Sequence, residues 1–249
     1  MSTAQTTETL TVALSSGFLA FARHIGVVTA LQARGVRPTR IVGVSSGSVV
    51  GALWAAGLGA REMRAFLGDE RPLRSLRPRF FLGATGPGLL SLDGLVTRLR
   101  AVLPARVEDL PIPFAAGVVR RRDAACWLVD RGDLPELLAA SCAMPWIFGP
   151  RRIHGEACVD GGAQDRLFLR ASLEAFPTTR TIAHVVEASA VGREHRGRLV
   201  EGQLEWAATR TALTVVRTPR SGASFWSLGP VDAQIAEADA AARLALAAR

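Results

Sequence analysis

Gly43, Ser45 and Gly47 form a G-x-S-x-G pattern between two apolar segments, and this pattern restricts the fold more than any other feature. It predicts a short buried strand at Ile41–Val44, a sharp turn at Ser45 and a helix over 47–56. Glycines two residues on either side of the serine remove the Cβ atoms that would collide in so tight a turn. The serine then lies exposed before a helix whose free N–H groups stabilise negative charge. The pattern therefore predicts that Ser45 is a nucleophile.

The same stretch is also consistent with a membrane-spanning helix. Positions 41–60 carry no charged residue, and glycines at 43, 47 and 51 repeat every four positions, as in closely packed membrane helices. The serines at 45, 46 and 48 would then lie near the bilayer centre, and the β-branched residues before them favour a strand. We therefore favour the turn and keep the spanning helix as the alternative.

The elements that precede this motif predict a parallel sheet. A segment with strand propensity at 9–15 is followed by a turn at Ser16-Gly17 and by helical spacing over 18–34. With the strand and helix of the motif, the chain begins with a βαβ unit. We expect a three-layer α/β/α fold with a mostly parallel central sheet. The site would lie at the carboxyl ends of the first two strands.

The composition indicates a single globular domain. The 249 residues, 49% of them apolar, suffice for a large core, and we expect a frayed tail at 1–9 and one domain over 10–249. No signal peptide and no CxxC pair are visible, so a cytoplasmic setting is expected.

The charge of the chain restricts the classes of partner that we expect it to bind. The formal net charge is +8, and all 30 basic residues are arginine, which excludes P-loop and Schiff-base lysines. This charge suits peripheral contact with an anionic membrane, with the arginine-rich loop at 71–79 as the candidate surface. The same loop is equally consistent with a solvated linker. The chain has no tyrosine and no recognisable binding module, so we expect no nucleic-acid partner.

A second segment supplies a candidate base. A serine hydroxyl is a poor nucleophile until a base accepts its proton, and none of the four histidines lies in a catalytic motif. His24 has the spacing of a core residue. Asp160 ends a predicted strand and is followed by Gly161 and Gly162, which let a backbone approach closely. Because Asp-Gly alone is more often an ordinary turn, this assignment depends on the serine motif.

Together these segments resemble the bacterial patatin-like phospholipases, over roughly residues 10–246. The resemblance is carried by residues 13–27, 41–53, and 138–145 with 159–162. It implies a patatin-like fold and a hydrolase that cleaves phospholipids or other acyl esters through an acyl-enzyme. Ser45 would be the nucleophile and Asp160 the base, with no histidine, metal or cofactor.

The resemblance also implies an oxyanion hole, and here the sequence departs from the family. The family's G-G-G-x-R-G loop corresponds to 16–21, where Gly17 is the only glycine left and Ala20 replaces the arginine, although Arg23 is near. A phenylalanine of this loop, Phe18 or Phe21, would be strained at any position that requires a positive φ. The implied oxyanion residues are Ser16, Gly17, Phe18 and Ser46.

The segment after Asp-Gly-Gly departs from the family as well, because Arg166 and Phe168 replace the usual asparagine and proline. Two alternatives to a hydrolase therefore stay open. One is an acyltransferase that uses the same serine. The other is a catalytically weakened or inactive homologue that binds lipid or has a regulatory role.

Overall fold

The structure is a computed structural model that describes residues 8–68, 76–78, 88–187 and 193–248. Most of the predicted tail at 1–9 lies outside these ranges, but Thr9 is described and exchanges hydrogen bonds with Thr179. The arginine-rich loop at 71–79 also lies outside them, apart from 76–78.

The described residues form one large sheet, one small sheet and helices that pack against the large one. The strands are β1 Leu10–Leu14, β2 Arg40–Val44, β3 Arg77–Pro78, β4 Leu90–Ser91, β5 Phe114–Arg120, β6 Cys126–Val129, β7 Arg151–Ile153, β8 Glu156–Asp160, β9 Arg180–Val186 and β10 Ala212–Thr218. The helices are α1 Phe21–Ala33, α2 Ser46–Ala55, α3 Ala60–Leu67, α4 Asp93–Arg100, α5 Leu134–Ser141, α6 Leu169–Ala175, α7 Arg193–Ala208 and α8 Val231–Ala247.

In the large sheet, each strand of the series β10-β9-β1-β2-β5-β8-β7 is hydrogen-bonded to the next, and β5 has three partners, with β2 and β8 on one edge and β6 on the other. The strands from β10 to β5 pair in parallel, whereas β6, β7 and β8 pair antiparallel to their neighbours. The predicted mostly parallel sheet and its opening βαβ unit are therefore confirmed.

Helices cover both faces of this sheet. On β1, Val12 and Leu14 belong to a core that also contains side chains of α1, α2, α5 and α8, whereas Ala13 packs with α6 and α7. Because successive side chains of a strand point to opposite faces, these two groups of helices lie on opposite sides of the sheet. The predicted three-layer fold is confirmed.

The ends of β2 and β8 meet on one edge of β5. Strand β2 runs parallel to β5 and ends with Val44 opposite Gly117, whereas β8 runs antiparallel and ends with Asp160 opposite Val118. Strand β6 pairs with β5 over residues 116–119, a range that overlaps both the β5 residues paired with β2 and those paired with β8. Strand β6 therefore lies on one edge of β5, and β2 and β8 share the other edge. Their carboxyl ends therefore point toward each other, which brings Asp160 to the residue that follows β2, Ser45.

The spanning-helix alternative is wrong. The G-x-x-x-G stretch divides into strand β2, which pairs on both sides within the sheet, and helix α2, which has ten buried residues. In the part of the chain that the structure describes, no helix combines the length and the apolar character needed to cross a bilayer.

Candidate active site

Ser45 lies at the turn between β2 and α2 in a strained backbone conformation with a positive φ, at φ +54° and ψ −124°. A Cβ atom on Gly43 would come within 2.5 Å of Ser48 Cα, and one on Gly47 within 2.4 Å of the Leu14 carbonyl oxygen. Contacts this short are not tolerated, so both glycines of the motif are required by close backbone packing. The turn has the geometry expected for an exposed nucleophile.

The Asp160 carboxylate contacts the Ser45 hydroxyl. Ser45 Oγ donates to Asp160 Oδ2 at 2.8 Å, and the Gly162 N–H donates to Oδ1 at 2.7 Å. Burial raises the pKa of Asp160 from its usual 3.8 to about 6, although these two hydrogen bonds act in the opposite direction. A carboxylate of this pKa is ionised at neutral pH and still more basic than an ordinary aspartate. The predicted proximity of the two side chains is present; their catalytic roles stay a prediction.

The two glycines after Asp160 let neighbouring groups pack closely against the backbone of this turn. A Cβ atom on Gly161 would lie 2.5 Å from the Gly117 carbonyl oxygen, and one on Gly162 would lie 2.5 Å from Ser16 Oγ. Both positions are therefore restricted to glycine by contacts with β5 and with the loop after β1.

Ser141 joins the two halves of the site, a role that was not predicted from the sequence. Its Oγ accepts the Ser45 N–H at 2.9 Å and donates to the Gly117 carbonyl oxygen at 2.9 Å. This buried side chain at the end of α5 therefore holds the Ser45 turn against β5. Its place in the third block of the family resemblance was the only sequence signal for it.

The histidines whose side chains are described bond elsewhere. His24 and His184 are buried with their Nδ1 atoms 2.8 Å apart, and burial lowers the pKa of both, so they are neutral. The predicted core position of His24 is confirmed. His154 lies 3.2 Å from a backbone carbonyl oxygen of the loop after β6. None of these three hydrogen-bonds to the Ser45 hydroxyl.

The loop after β1 carries the predicted oxyanion donors, with one correction. The Ser16 N–H donates to the Arg166 carbonyl oxygen at 2.8 Å, so it is not free to bind an oxyanion. The N–H groups of Gly17, Phe18 and Ser46 donate to no acceptor among the described residues. The Ser46 hydroxyl donates to the Gly17 carbonyl oxygen at 2.7 Å and so ties the loop to α2.

The strained residue of this loop is Leu19, with φ +48°, and not Phe18 or Phe21. The Ala20 N–H closes a turn onto the Gly17 carbonyl oxygen at 3.2 Å, which delays the start of α1 to Phe21. The helix predicted over 18–34 is therefore shorter at its N-terminus, because its first three positions form this turn.

Arg166 braces the same loop. Its Nη2 donates to the carbonyl oxygens of Ser16 and Val186, both at 2.7 Å, and so joins the ends of β1 and β9. Arg23, which is near the loop in sequence, instead forms an ion pair with Glu237 of α8.

Two cavities adjoin Ser45. The larger, of about 560 Å³, is also lined by Asp160, residues 16–18 and Arg220. The smaller, of about 110 Å³, has mainly apolar walls. Its lining includes Phe66, Leu92, Leu95, Phe148, Phe225 and Leu228.

Cys142 lines the smaller cavity beside Ser45. Burial is the largest influence on its thiol and raises the pKa far above the usual range. The thiol therefore stays protonated at neutral pH and does not compete with Ser45 as a nucleophile.

The chain is similar to known proteins over more than half of its length. A family model described as patatin-like phospholipase matches residues 12–173, a span that contains Ser45 and Asp160. Uncharacterized NTE family proteins of Mycobacterium bovis and Mycobacterium tuberculosis are each 32% identical over 159 residues. The matched segment is 63% of this chain and 43% of each relative, so the match spans less than half the length of those relatives.

A solved structure has a similar fold. The crystal structure of VipD from Legionella pneumophila aligns with 97% of this chain and 67% of its own, with a TM-score of 0.55 and 13% sequence identity. At this identity, the similarity concerns the fold alone.

Proposed function

Because the chain belongs to the patatin-like phospholipase family, we propose that it is a serine acyl hydrolase that cleaves phospholipids or lysophospholipids. The observation that carries the proposal is the 2.8 Å hydrogen bond from Ser45 Oγ to Asp160 Oδ2. It joins a hydroxyl held on a strained turn to a carboxylate of raised basicity, which is the arrangement needed to activate an alcohol.

In the proposed reaction, Ser45 Oγ attacks the ester carbonyl carbon and its proton passes to Asp160. The N–H groups of Gly17, Phe18 and Ser46 stabilise the negative oxygen of the tetrahedral intermediate. Collapse of the intermediate breaks the ester bond, and Asp160 returns the proton to the departing alcohol. Water then attacks the acyl-enzyme carbonyl and gives a proton to Asp160. The bond between the acyl group and Ser45 Oγ breaks, Asp160 returns the proton to Ser45 Oγ, and the fatty acid leaves.

The two cavities support a lipid as the substrate. The apolar walls of the smaller cavity suit an acyl chain bound to Ser45. The larger cavity carries Arg220 and suits the alcohol part of the ester, including a phosphate headgroup. An ester of this kind would place its carbonyl where the cavities meet.

We further propose that residues 10–249 act as one acyl-hydrolase domain. The support is that β1, β9 and β10 pair side by side, so strands from the two ends of the described chain belong to one sheet.

The proposal is tested by labelling and by product release. We expect a fluorophosphonate probe to modify Ser45, and we expect the protein to release fatty acid from phosphatidylcholine and lysophosphatidylcholine. Mass spectrometry of the labelled peptide and thin-layer chromatography of the lipids measure the two results.

Each alternative has its own outcome in this experiment. An unlabelled Ser45 with no fatty acid released would indicate an inactive lipid-binding homologue. Labelling combined with acyl transfer to an added alcohol or thiol, without free fatty acid, would indicate an acyltransferase.

A further inference from the structure

Four large exposed apolar side chains lie in or beside the loops that border the larger cavity. Phe18, Leu89, Trp146 and Trp226 are 41%, 75%, 77% and 78% exposed, and we call these four the apolar rim. Two of them, Phe18 and Trp146, line the cavity that contains Ser45. Such a patch on a surface normally marks a binding surface.

The loops of the rim are joined to one another. A backbone hydrogen bond of 2.9 Å from Leu90 to Ile147 joins the loops of two rim residues, Leu89 and Trp146. An edge-on ring contact of 5.2 Å between Phe18 and Phe225 joins the loops of the other two. Because Phe18 and Trp146 line the same cavity, the loops that carry the four side chains are connected to one another beside it.

We propose that the apolar rim docks on the surface of a lipid bilayer, an inference that rests on the proposed function. A protein bound to the rim would cover the cavity that substrate must enter, whereas a bilayer presents the substrate at that opening. Tryptophan suits this position because its ring is apolar and its N–H reaches the polar headgroups. The net charge of +8 and Arg220 on the cavity wall complement an anionic lipid surface.

The test uses Leu89→Ser/Trp226→Ser, because neither residue lines the cavities, with Leu244→Ser as control. Leu244 is a similarly exposed apolar residue on α8. We expect the double variant to bind phosphatidylcholine vesicles, with or without phosphatidylserine, at least about fivefold more weakly in co-sedimentation, because two interfacial anchors are lost. Hydrolysis of vesicle lipid should fall by a similar factor. Hydrolysis of monomeric p-nitrophenyl acetate should stay unchanged in both variants.

Unchanged vesicle binding by the double variant would overturn the docking proposal, as would an equal loss in the Leu244→Ser control. A change of oligomeric state in gel filtration, with vesicle binding intact, would identify the rim as a contact between two copies instead. If the wild-type protein hydrolysed neither vesicle phospholipid nor p-nitrophenyl acetate, the proposed function would fail, whatever the result of the vesicle-binding assay.

We also infer that Arg166 is a positioning residue for the oxyanion loop, which again rests on the proposed function. Of the glycines in the family's G-G-G-x-R-G loop, only Gly17 is present in this chain. The loop is nevertheless bonded to Arg166, because the Ser16 N–H donates to the Arg166 carbonyl oxygen and the Ser16 carbonyl oxygen accepts from the guanidinium. The guanidinium also donates to the Val186 carbonyl oxygen and lies 3.3 Å from the Ser16 hydroxyl. These bonds fix the residue immediately before Gly17 and Phe18, whose N–H groups are the proposed donors.

We expect Arg166→Gln to lower kcat for p-nitrophenyl butyrate about 10- to 100-fold, with KM nearly unchanged, because displaced donors weaken transition-state binding. Arg166→Lys, which keeps the charge but lacks the fork of donors, should have an intermediate kcat. The inhibition constant of a trifluoromethyl ketone, which forms a tetrahedral adduct, should rise by the same factor as kcat/KM falls. Arg217→Gln, which removes an exposed ion pair with Glu201, is the matched control.

A kcat of Arg166→Gln within twofold of wild type would overturn the inference. So would a loss of activity accompanied by an unchanged inhibition constant. If Arg166→Gln does not fold, the comparison of Arg166→Lys with wild type decides by the same criteria.

Discussion

Ser45→Ala should reduce turnover of p-nitrophenyl butyrate at least about a thousandfold, because this change removes the proposed nucleophile. Asp160→Asn should reduce kcat about a thousandfold, because the amide cannot accept the Ser45 proton. Initial rates at saturating substrate measure both effects. Asp239→Asn, which changes a half-buried carboxylate that pairs with Arg243 on α8, is the control and should leave the rate unchanged.

The pH profile tests the role of Asp160 separately. Asp160 must be ionised to act as a base, so kcat/KM should rise about tenfold per pH unit below the pKa and level off above about 6. A profile without this rise would remove Asp160 from the mechanism, as would an active Asp160→Asn variant.

The raised pKa of Asp160 also predicts how stable the Asp160→Asn variant should be, which serves as a control for its loss of activity. Because the folded-state pKa of about 6 exceeds the usual 3.8, the folded protein holds this proton more tightly than the unfolded chain. The resulting stabilisation is complete below about pH 4 and is lost as the pH rises through about 6. Asp160→Asn should therefore be at least as stable as wild type at pH 8, which excludes unfolding as the cause of its lost activity.

Gly47→Ala should destabilise the protein by more than about 3 kcal/mol, because the added methyl group meets backbone that cannot move aside. Its Cβ would lie 2.4 Å from the Leu14 carbonyl oxygen and 2.6 Å from that of Ser15. For a domain of this size we expect a drop in Tm of about 6 to 12 °C, measured by differential scanning calorimetry. Activity should be lost as well, since α2 and the Ser45 turn must shift away from β1.

Gly202→Ala is the matched control for this change. Gly202 lies within α7, and nothing lies within 4 Å of a Cβ atom added there. Alanine should stabilise this helix by about 0.5 to 1 kcal/mol, because glycine is the more flexible residue in the unfolded chain. Equal stability of Gly47→Ala and wild type would contradict the close packing of the turn.

The local structure of the site could be predicted because it depends on neighbouring residues. The strand, turn and helix around Ser45 follow from the spacing of Gly43 and Gly47, which the backbone contacts of these two glycines explain. The conformation of the loop after β1 could not be predicted in the same way. Leu19 takes the left-handed position there, and the loop is held by Arg166, nearly 150 positions along the chain.

The sequence by itself therefore determined the Ser45 turn, the βαβ unit and the family, because these depend on the spacing of residues within short segments and on recognisable motifs. The sequence implied the pairing of Ser45 with Asp160 only through the family resemblance. Only the tertiary structure decided how the two residues meet, because their contact requires β2 and β8 to end against each other on one edge of β5. No repeating pattern in the sequence indicates which distant segments will pair as strands. This pairing is fixed by which edges and faces remain to be covered once the rest of the sheet has formed.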